Sequence, residues 1–151
     1  MQSDFAFRTL VYLAAKPLEI ASVKQVADAY GISANHLSKI AQKLQRAGFL
    51  QSVRGAQGGM RLARPAEQIM LGDVIRCMES ATPLVECFNM PTNTCPIVSA
   101  CGLKRILHDA YEAFAAHLDQ FTVADAVGKP ALVSRLLSPT TLRRPSRAEP
   151  Q

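Results

Sequence analysis

Residues 22–48, SVKQVADAYGISANHLSKIAQKLQRAG, decide the fold. Ser22 stands where an N-cap belongs, ahead of a helical pattern over 23–30 in which Val26, Ala27 and Tyr30 face inward. Gly31 stops that helix, and Gly31, Ile32 and Ser33 make a three-residue turn. Ser33 is placed to cap a second helix over 34–47, where Leu37, Ile40, Ala41 and Leu44 recur at i, i+3, i+4 and i+7. Helix, glycine turn, helix is the arrangement that sets a second helix into the major groove of DNA.

The flanks extend this unit. Upstream, Phe5, Leu10, Leu13 and Ala14 lie close to helical spacing, and the helix they mark ends before Pro17. Downstream, Gly48 closes the second helix, 49–53 reads as a strand, 54–59 as a turn and 60–63 as the returning strand, which together make a wing. Gly55, Gly58 and Gly59 resemble a phosphate cradle only superficially, because no Gly-Lys-Ser/Thr ending and no helix follow them. Beyond Pro65, Leu71, Val74, Ile75 and Met78 share one face of a short helix over 71–79. Leu103, Ile106, Leu107, Ala110, Tyr111, Phe114, Leu118 and Phe121 trace a long helix whose apolar stripe has few partners in so small a domain, which points to packing against a second subunit.

The expected fold is therefore mainly α with a small β wing, a winged helix-turn-helix followed by a long dimerisation helix. Its parts are a DNA-binding domain at 1–80, a cysteine-bearing loop at 81–102, the dimerisation helix and its end at 103–127, and a basic tail at 128–151. That tail, with Pro130, Pro139, Pro145 and Pro150, carries too little apolar content to fold by itself.

Charge is unevenly spread along the 151 residues, whose net value is +5. Residues 1–76 carry ten Lys+Arg against five Asp+Glu, residues 77–128 two against six, and residues 129–151 five against one. A basic front half suits phosphate backbones, and the acidic segment suits protein contacts and solvent. No run approaches the roughly 18 apolar residues of a membrane span, and residues 1–8 read as the start of an amphipathic helix and not as a signal peptide. A cytoplasmic protein without a membrane partner is expected.

Within a helix-turn-helix, the N-terminal part of the second helix meets base edges. Asn35, His36, Ser38 and Lys39 occupy it, with Lys43 one turn further on. Asn bonds adenine bidentately, Ser is permissive, and lysines meet guanine or phosphate. Arg54, Gln57 and Arg61 would set the wing against backbone or minor groove. Each could be an ordinary solvated polar residue, but their grouping on one turn and one wing points to double-stranded DNA as partner.

Of the four cysteines, Cys87, Cys95 and Cys101 lie in one short loop, with Pro91 and Pro96 between them. In a reducing compartment such a cluster reads as metal ligands and not as a disulfide framework. Three soft thiolates suit an iron-sulfur cluster or zinc. Cys77 falls beside the Val74 and Met78 face of the short helix and is read as an isolated packed thiol. His36, His108 and His117 are read as a groove or surface residue and two positions on the long helix, not as ligands. No paired carboxylates, no nucleophile with an adjacent base and no cofactor fingerprint can be assembled, so an enzyme is not expected.

Five stretches, SDFAFRTLVYLA at 3–14, AGFLQSVRGAQGGMRL at 47–62, LGDVIRCME at 71–79, CPIVSACGLK at 95–104 and LDQFTVADAV at 118–127, resemble the Rrf2 family of winged-helix iron-sulfur regulators. The resemblance covers nearly everything from residue 3 to residue 127. It implies a homodimer with an iron-sulfur cluster, 4Fe-4S ahead of 2Fe-2S, on Cys87, Cys95 and Cys101. A cluster normally takes four protein ligands. In some members, the nitric-oxide-sensing repressors, a carboxylate near the N-terminus of the other subunit completes the site, and Asp4 aligns with it; helix N-cap is the other reading of Ser3 or Asp4. Cys77 stands where the family usually carries an acidic residue. The 7-residue gap between Cys87 and Cys95 is longer than in many members, and Asp4 comes closer to the start of the chain than in most. Lys104 takes the place of a histidine found in the related regulator of cluster assembly, which weighs against that variant.

By the same resemblance, the expected function is repression of transcription, with nitrosylation of the cluster by nitric oxide releasing operator DNA. Two alternatives stay open: a regulator of the same fold that senses iron-sulfur status, iron or redox state, and a constitutive DNA-binding protein with structural zinc.

Overall fold

The computed structural model describes residues 2–55, 58–79 and 85–138. Seven helices and one two-stranded sheet are found among them: α1 Gln2–Ala14, α2 Val23–Tyr30, α3 Ala34–Arg46, β1 Leu50–Val53, β2 Gly59–Leu62, α4 Leu71–Glu79, α5 Gly102–Leu118, α6 Val123–Val127 and α7 Pro130–Leu136. Single 3-10 turns occupy Ala66–Gln68, Glu86–Phe88 and Met90–Thr92.

The local chemistry of the decisive stretch holds up in detail. The Gln25 amide donates to Ser22 Oγ at 3.2 Å while the Ser22 amide donates to Gln25 Oε1 at 2.7 Å, a reciprocal capping box. Gly31 closes α2 with φ of 63°, a left-handed conformation that glycine adopts without a Cβ clash. Ser33 takes the extended N-cap conformation ahead of α3, yet its side chain makes no capping bond. Ser33, Ala34, Asn35 and His36 are all exposed, so water is at hand for the first amides of α3.

β1 and β2 pair antiparallel with Leu50 opposite Leu62, Gln51 opposite Arg61, Ser52 opposite Met60 and Val53 opposite Gly59. Gly58 is required at the turn, because a Cβ there would lie 2.5 Å from the Val53 carbonyl. A third line of chain seals the wing at its base: Ala21 and Met60 exchange both backbone hydrogen bonds, at 3.1 and 2.9 Å. This bridge spans 39 residues of sequence and lies outside anything periodicity encodes.

One core joins these elements. Leu10 of α1, Val26 of α2, Leu37 and Leu44 of α3, Ile69, Val74 and Met78 at and within α4, and Val123 of α6 are fully buried and belong to the same cluster. Each such side chain contributes about 1.5–3 kcal/mol when withdrawn from water. Helix α4 packs on α1, α3 and α5. Its entry is tied to that of α6, since the Leu71 amide donates to Phe121 O and the Val123 amide to Ile69 O, both at 2.9 Å.

Two expectations change. The long helix ends at Leu118, not at Phe121, because a Thr122–Asp125 capping box starts α6 immediately afterwards. The second concerns the tail. Residues 130–136 form α7, with Pro130 in its first turn, Leu137 buried and Val133 packed against the core. The four apolar residues Leu132, Val133, Leu136 and Leu137 at helical spacing, of which Val133 and Leu137 meet the core, outweigh the polar composition on which an unstructured tail from residue 128 was expected; residues 139–151 lie outside the described residues.

Candidate nucleic-acid interface and cysteine loop

Helix α3 buries Leu37, Ile40, Ala41 and Leu44 and turns Asn35, His36, Lys39, Gln42, Gln45 and Arg46 outward. Two concave surfaces flank this outward ridge. On the α1 side a cleft of about 520 Å³ is floored by Phe5 and Ile40 and rimmed by His36, Lys39, Lys43 and Arg46. On the wing side a smaller cleft of about 280 Å³ is lined by Ser38, Gln45, Ser52 and Gly59. Gln42 borders both.

The expected contact residues divide accordingly. Asn35, His36, Ser38 and Lys39 share the N-terminal part of the ridge, and Lys43 lies at its edge, where its Nζ donates to Gln2 Oε1 of α1 at 2.8 Å. Arg61 is exposed on β2, and Arg54 is exposed just past the end of β1. Gln57 lies outside the described residues. Gln42 and Gln45 were missed by attention to the helix start, although Gln42 stands three and four residues beyond Lys39 and Ser38, a spacing that places it on their face. Three cations, Lys39, Lys43 and Arg46, along one concave surface with His36 and amide side chains among them suit a phosphate backbone and purine edges.

The cysteine loop is a second folded feature. Cys87 sits in the 3-10 turn Glu86–Phe88, Cys95 follows the turn Met90–Thr92, and Cys101 is the N-cap of α5. Glu86 accepts from both the amide and the hydroxyl of Thr94, at 2.6 and 2.7 Å, so neighbours of Cys87 and Cys95 are clasped together. Those bonds hold the Glu86 carboxyl below the usual carboxylate range. The loop is laid on α5 by an edge-to-face contact of Phe88 with His108, at 5.9 Å, and by Lys104 Nζ at 3.3 Å from Met90 Sδ. Nothing in the sequence marks Glu86 and Thr94 as a pair.

All four cysteines are partly exposed and none forms a disulfide. Three thiols free of disulfide on one short clasped loop are a donor set that fits an iron-sulfur cluster or zinc. Among the described residues of the single chain, however, no three His, Cys, Asp or Glu side chains are drawn together as a finished metal site. Asp4 lies in the first turn of α1, which begins at Gln2, so it is no N-cap; its Oδ1 accepts from Arg8 Nε at 2.9 Å, and its side chain is 45% exposed. The Arg8 guanidinium also lies 5.7 Å from the ring centre of Tyr30, whose burial pushes its hydroxyl up to about 12. Cys77 packs against the core from α4, and burial raises its thiol, with Lys43 opposing that shift.

On α5 the apolar stripe is not covered within the chain. Leu103, Ile106 and Phe114 are 58, 57 and 51% exposed, and Ala115 alone among the residues of α5 is buried. No helix among the described residues is long and apolar enough to cross a membrane.

Comparison with known proteins places these features. The profile of the Rrf2 family, described as iron-dependent transcriptional regulator, matches residues 1–129. The HTH-type transcriptional regulator NsrR of Shouchella clausii (strain KSM-K16) is 46% identical over 126 residues, covering 83% of this chain and 85% of that protein. The regulator of the same name from Bacillus subtilis (strain 168) is 40% identical over 136 residues, 89% and 93% of the two chains. Among solved structures, T. potens IscR matches with a TM-score of 0.65 at 26% identity over 85% of this chain and 84% of its own. Staphylococcus aureus CymR matches with a TM-score of 0.64 at 27% identity over 85% and 96%.

Proposed function

Because the chain belongs to the Rrf2 family of transcriptional regulators, a DNA-binding and non-enzymatic family, we propose that it is a homodimeric repressor that carries an iron-sulfur cluster on Cys87, Cys95 and Cys101 and releases operator DNA in response to nitric oxide. The observation that carries the reading is the position of the cysteine loop. It joins α4, which packs on recognition helix α3, to α5, whose apolar stripe lies open for a second subunit. The cytoplasm is the compartment in which such thiols stay reduced.

When bound, the cluster supplies iron that reacts with nitric oxide. The chain's own residues do the rest. Cys87, Cys95 and Cys101 hold it, and Asp4 of the other subunit is the fourth donor, a hard oxygen among soft sulfurs and therefore weakly held. Glu86 and Thr94 keep the loop closed. Leu103, Ile106 and Phe114 bury themselves against the partner, setting two copies of α3 about 34 Å apart, one turn of DNA. A hundredfold change in operator affinity needs only about 2.7 kcal/mol of coupling between loop and reading head.

The test is operator titration with protein purified without oxygen, before and after nitric oxide, alongside visible absorbance and iron and sulfide analysis. A brown, iron-loaded dimer that loses the operator on exposure is expected; unchanged affinity sinks the scheme, and a colourless zinc protein replaces it with a constitutive binder. The description of the matched family as iron-dependent favours one second reading, in which iron supply or cluster status is the signal. In that case iron depletion releases DNA and nitric oxide does not.

A further inference from the structure

Helix α5 packs mainly on two elements, α4 and the Glu86–Phe88 turn of the cysteine loop. Both meet the same face of it. Lys104, His108, Ala115 and Asp119 recur at helical spacing, and Leu103, Ile106 and Phe114 of the open stripe lie round the helix from them. The C-terminal half of that face belongs to α4, through the buried Ala115 and the Arg76–Asp119 ion pair. Its N-terminal half belongs to the loop. Phe88 meets His108 edge to face at 5.9 Å, and Lys104 Nζ lies 3.3 Å from Met90 Sδ.

We propose that Phe88 and His108 form a latch through which the cysteine loop sets the direction of the N-terminal half of α5, which makes His108 a positioning residue for sensing. This inference rests on the reading of Cys87, Cys95 and Cys101 as cluster ligands. Two points of attachment carry it. Cys101 is the N-cap of α5 and Phe88 directly follows Cys87, so the loop grips the helix at residue 101 and again at residue 108, about 10 Å further along its axis at 1.5 Å per residue. One point lets a helix pivot; two fix its direction. Because the clamp on Asp119 holds the other end, a shift of the Cys87 backbone bends α5 and carries Leu103 and Ile106 of the open stripe with it.

The rival reading is ordinary packing, and the burial of the pair argues against it. Neither ring belongs to the common core, and the His108 side chain stays 60% exposed. A contact of this kind adds little to the stability of the fold and opens readily, as a latch must.

The experiment compares the full chain with Phe88→Ala, His108→Ala and His108→Phe, all purified without oxygen. Amide hydrogen exchange is read separately in the two halves of α5. In both alanine variants exchange at residues 104–110 is expected to quicken about fivefold or more, with residues 114–118 unchanged. His108→Phe, which keeps an edge-to-face contact, restores the parent rates. Iron, sulfide and visible absorbance stay at parent levels in all three. The change in operator affinity on adding nitric oxide shrinks in the alanine variants from about a hundredfold to about threefold or less. Parent-like exchange throughout α5 in Phe88→Ala overturns the latch, and so does equal acceleration of both halves, the mark of general loosening. Loss of iron from His108→Ala overturns it in favour of a loop that merely folds on the helix. A parent whose operator affinity ignores nitric oxide sinks the proposed signal, while the exchange pattern still decides the latch, so the two readings fail separately.

Discussion

Arg76 and Asp119, 43 residues apart, form a two-pronged clamp: Nη1 donates to Oδ1 at 2.7 Å and Nη2 to Oδ2 at 2.6 Å. The clamp fastens α4 to the residue that ends α5. Beneath it Gly72 lets the two helices approach, since a Cβ there would overlap the Asp119 carboxylate and lie 2.9 Å from the Ala115 carbonyl. The helix that packs on the recognition helix and the helix with the open apolar stripe are thereby locked at one angle.

Gly72→Ala tests that approach with a contest of known sign. Alanine gains at most about 1 kcal/mol over glycine in a helix, and less at Gly72, the second residue of α4. Overpacking against a backbone carbonyl and a pinned carboxylate costs about 1–3 kcal/mol. A net loss is expected, read as a melting temperature lower by a few degrees, whereas a rise in melting temperature would show that the helices part without cost.

The clamp also sets an acid dependence. Hydrogen bonding from Arg76 holds the Asp119 carboxyl below its ordinary range. A group with a depressed folded value contributes stability above its unfolded value, about pH 4, and loses it as pH falls through the folded one. Stability measured by urea unfolding should therefore fall more steeply below about pH 4 in the parent than in Asp119→Asn. Because both side chains are 40% exposed, the difference should shrink in high salt.

Among the thiols, position separates ligand from packing. Cys87→Ser, Cys95→Ser and Cys101→Ser should each yield protein depleted in iron and visible absorbance after oxygen-free purification. Cys77→Ala should keep both and lose only about 1 kcal/mol of stability, its thiol being packed on the core. Asp4→Ala with full iron content would remove Asp4 from the ligand set.

On the recognition helix, two variants should differ in kind. Gln42→Ala is expected to cost about ten- to a hundredfold against the preferred operator and little against other sequences, as for a lost base contact. Lys39→Ala should weaken all duplexes alike and reduce the salt slope by about one. Equal effects of both on all sequences would argue that this ridge touches backbone only.

Sequence alone settled the helix-turn-helix, the wing and the span of α4, because caps, glycines and apolar periods act within a few residues: Ser22 with Gln25, Gly31 after Tyr30, Leu37 with Ile40, Ala41 and Leu44. It also singled out the three loop cysteines by residue type and nearness. Only the tertiary structure decided which α5 residues stay uncovered, that Ala21 seals the wing, that Glu86 clasps Thr94, that Gly72 admits Asp119, and that residues 130–137 pack onto the core of the reading head. Apart from the short Glu86–Thr94 clasp, these join elements distant along the chain. Contacts of this kind follow from how whole helices pack, a relation that no local spacing of residue types encodes.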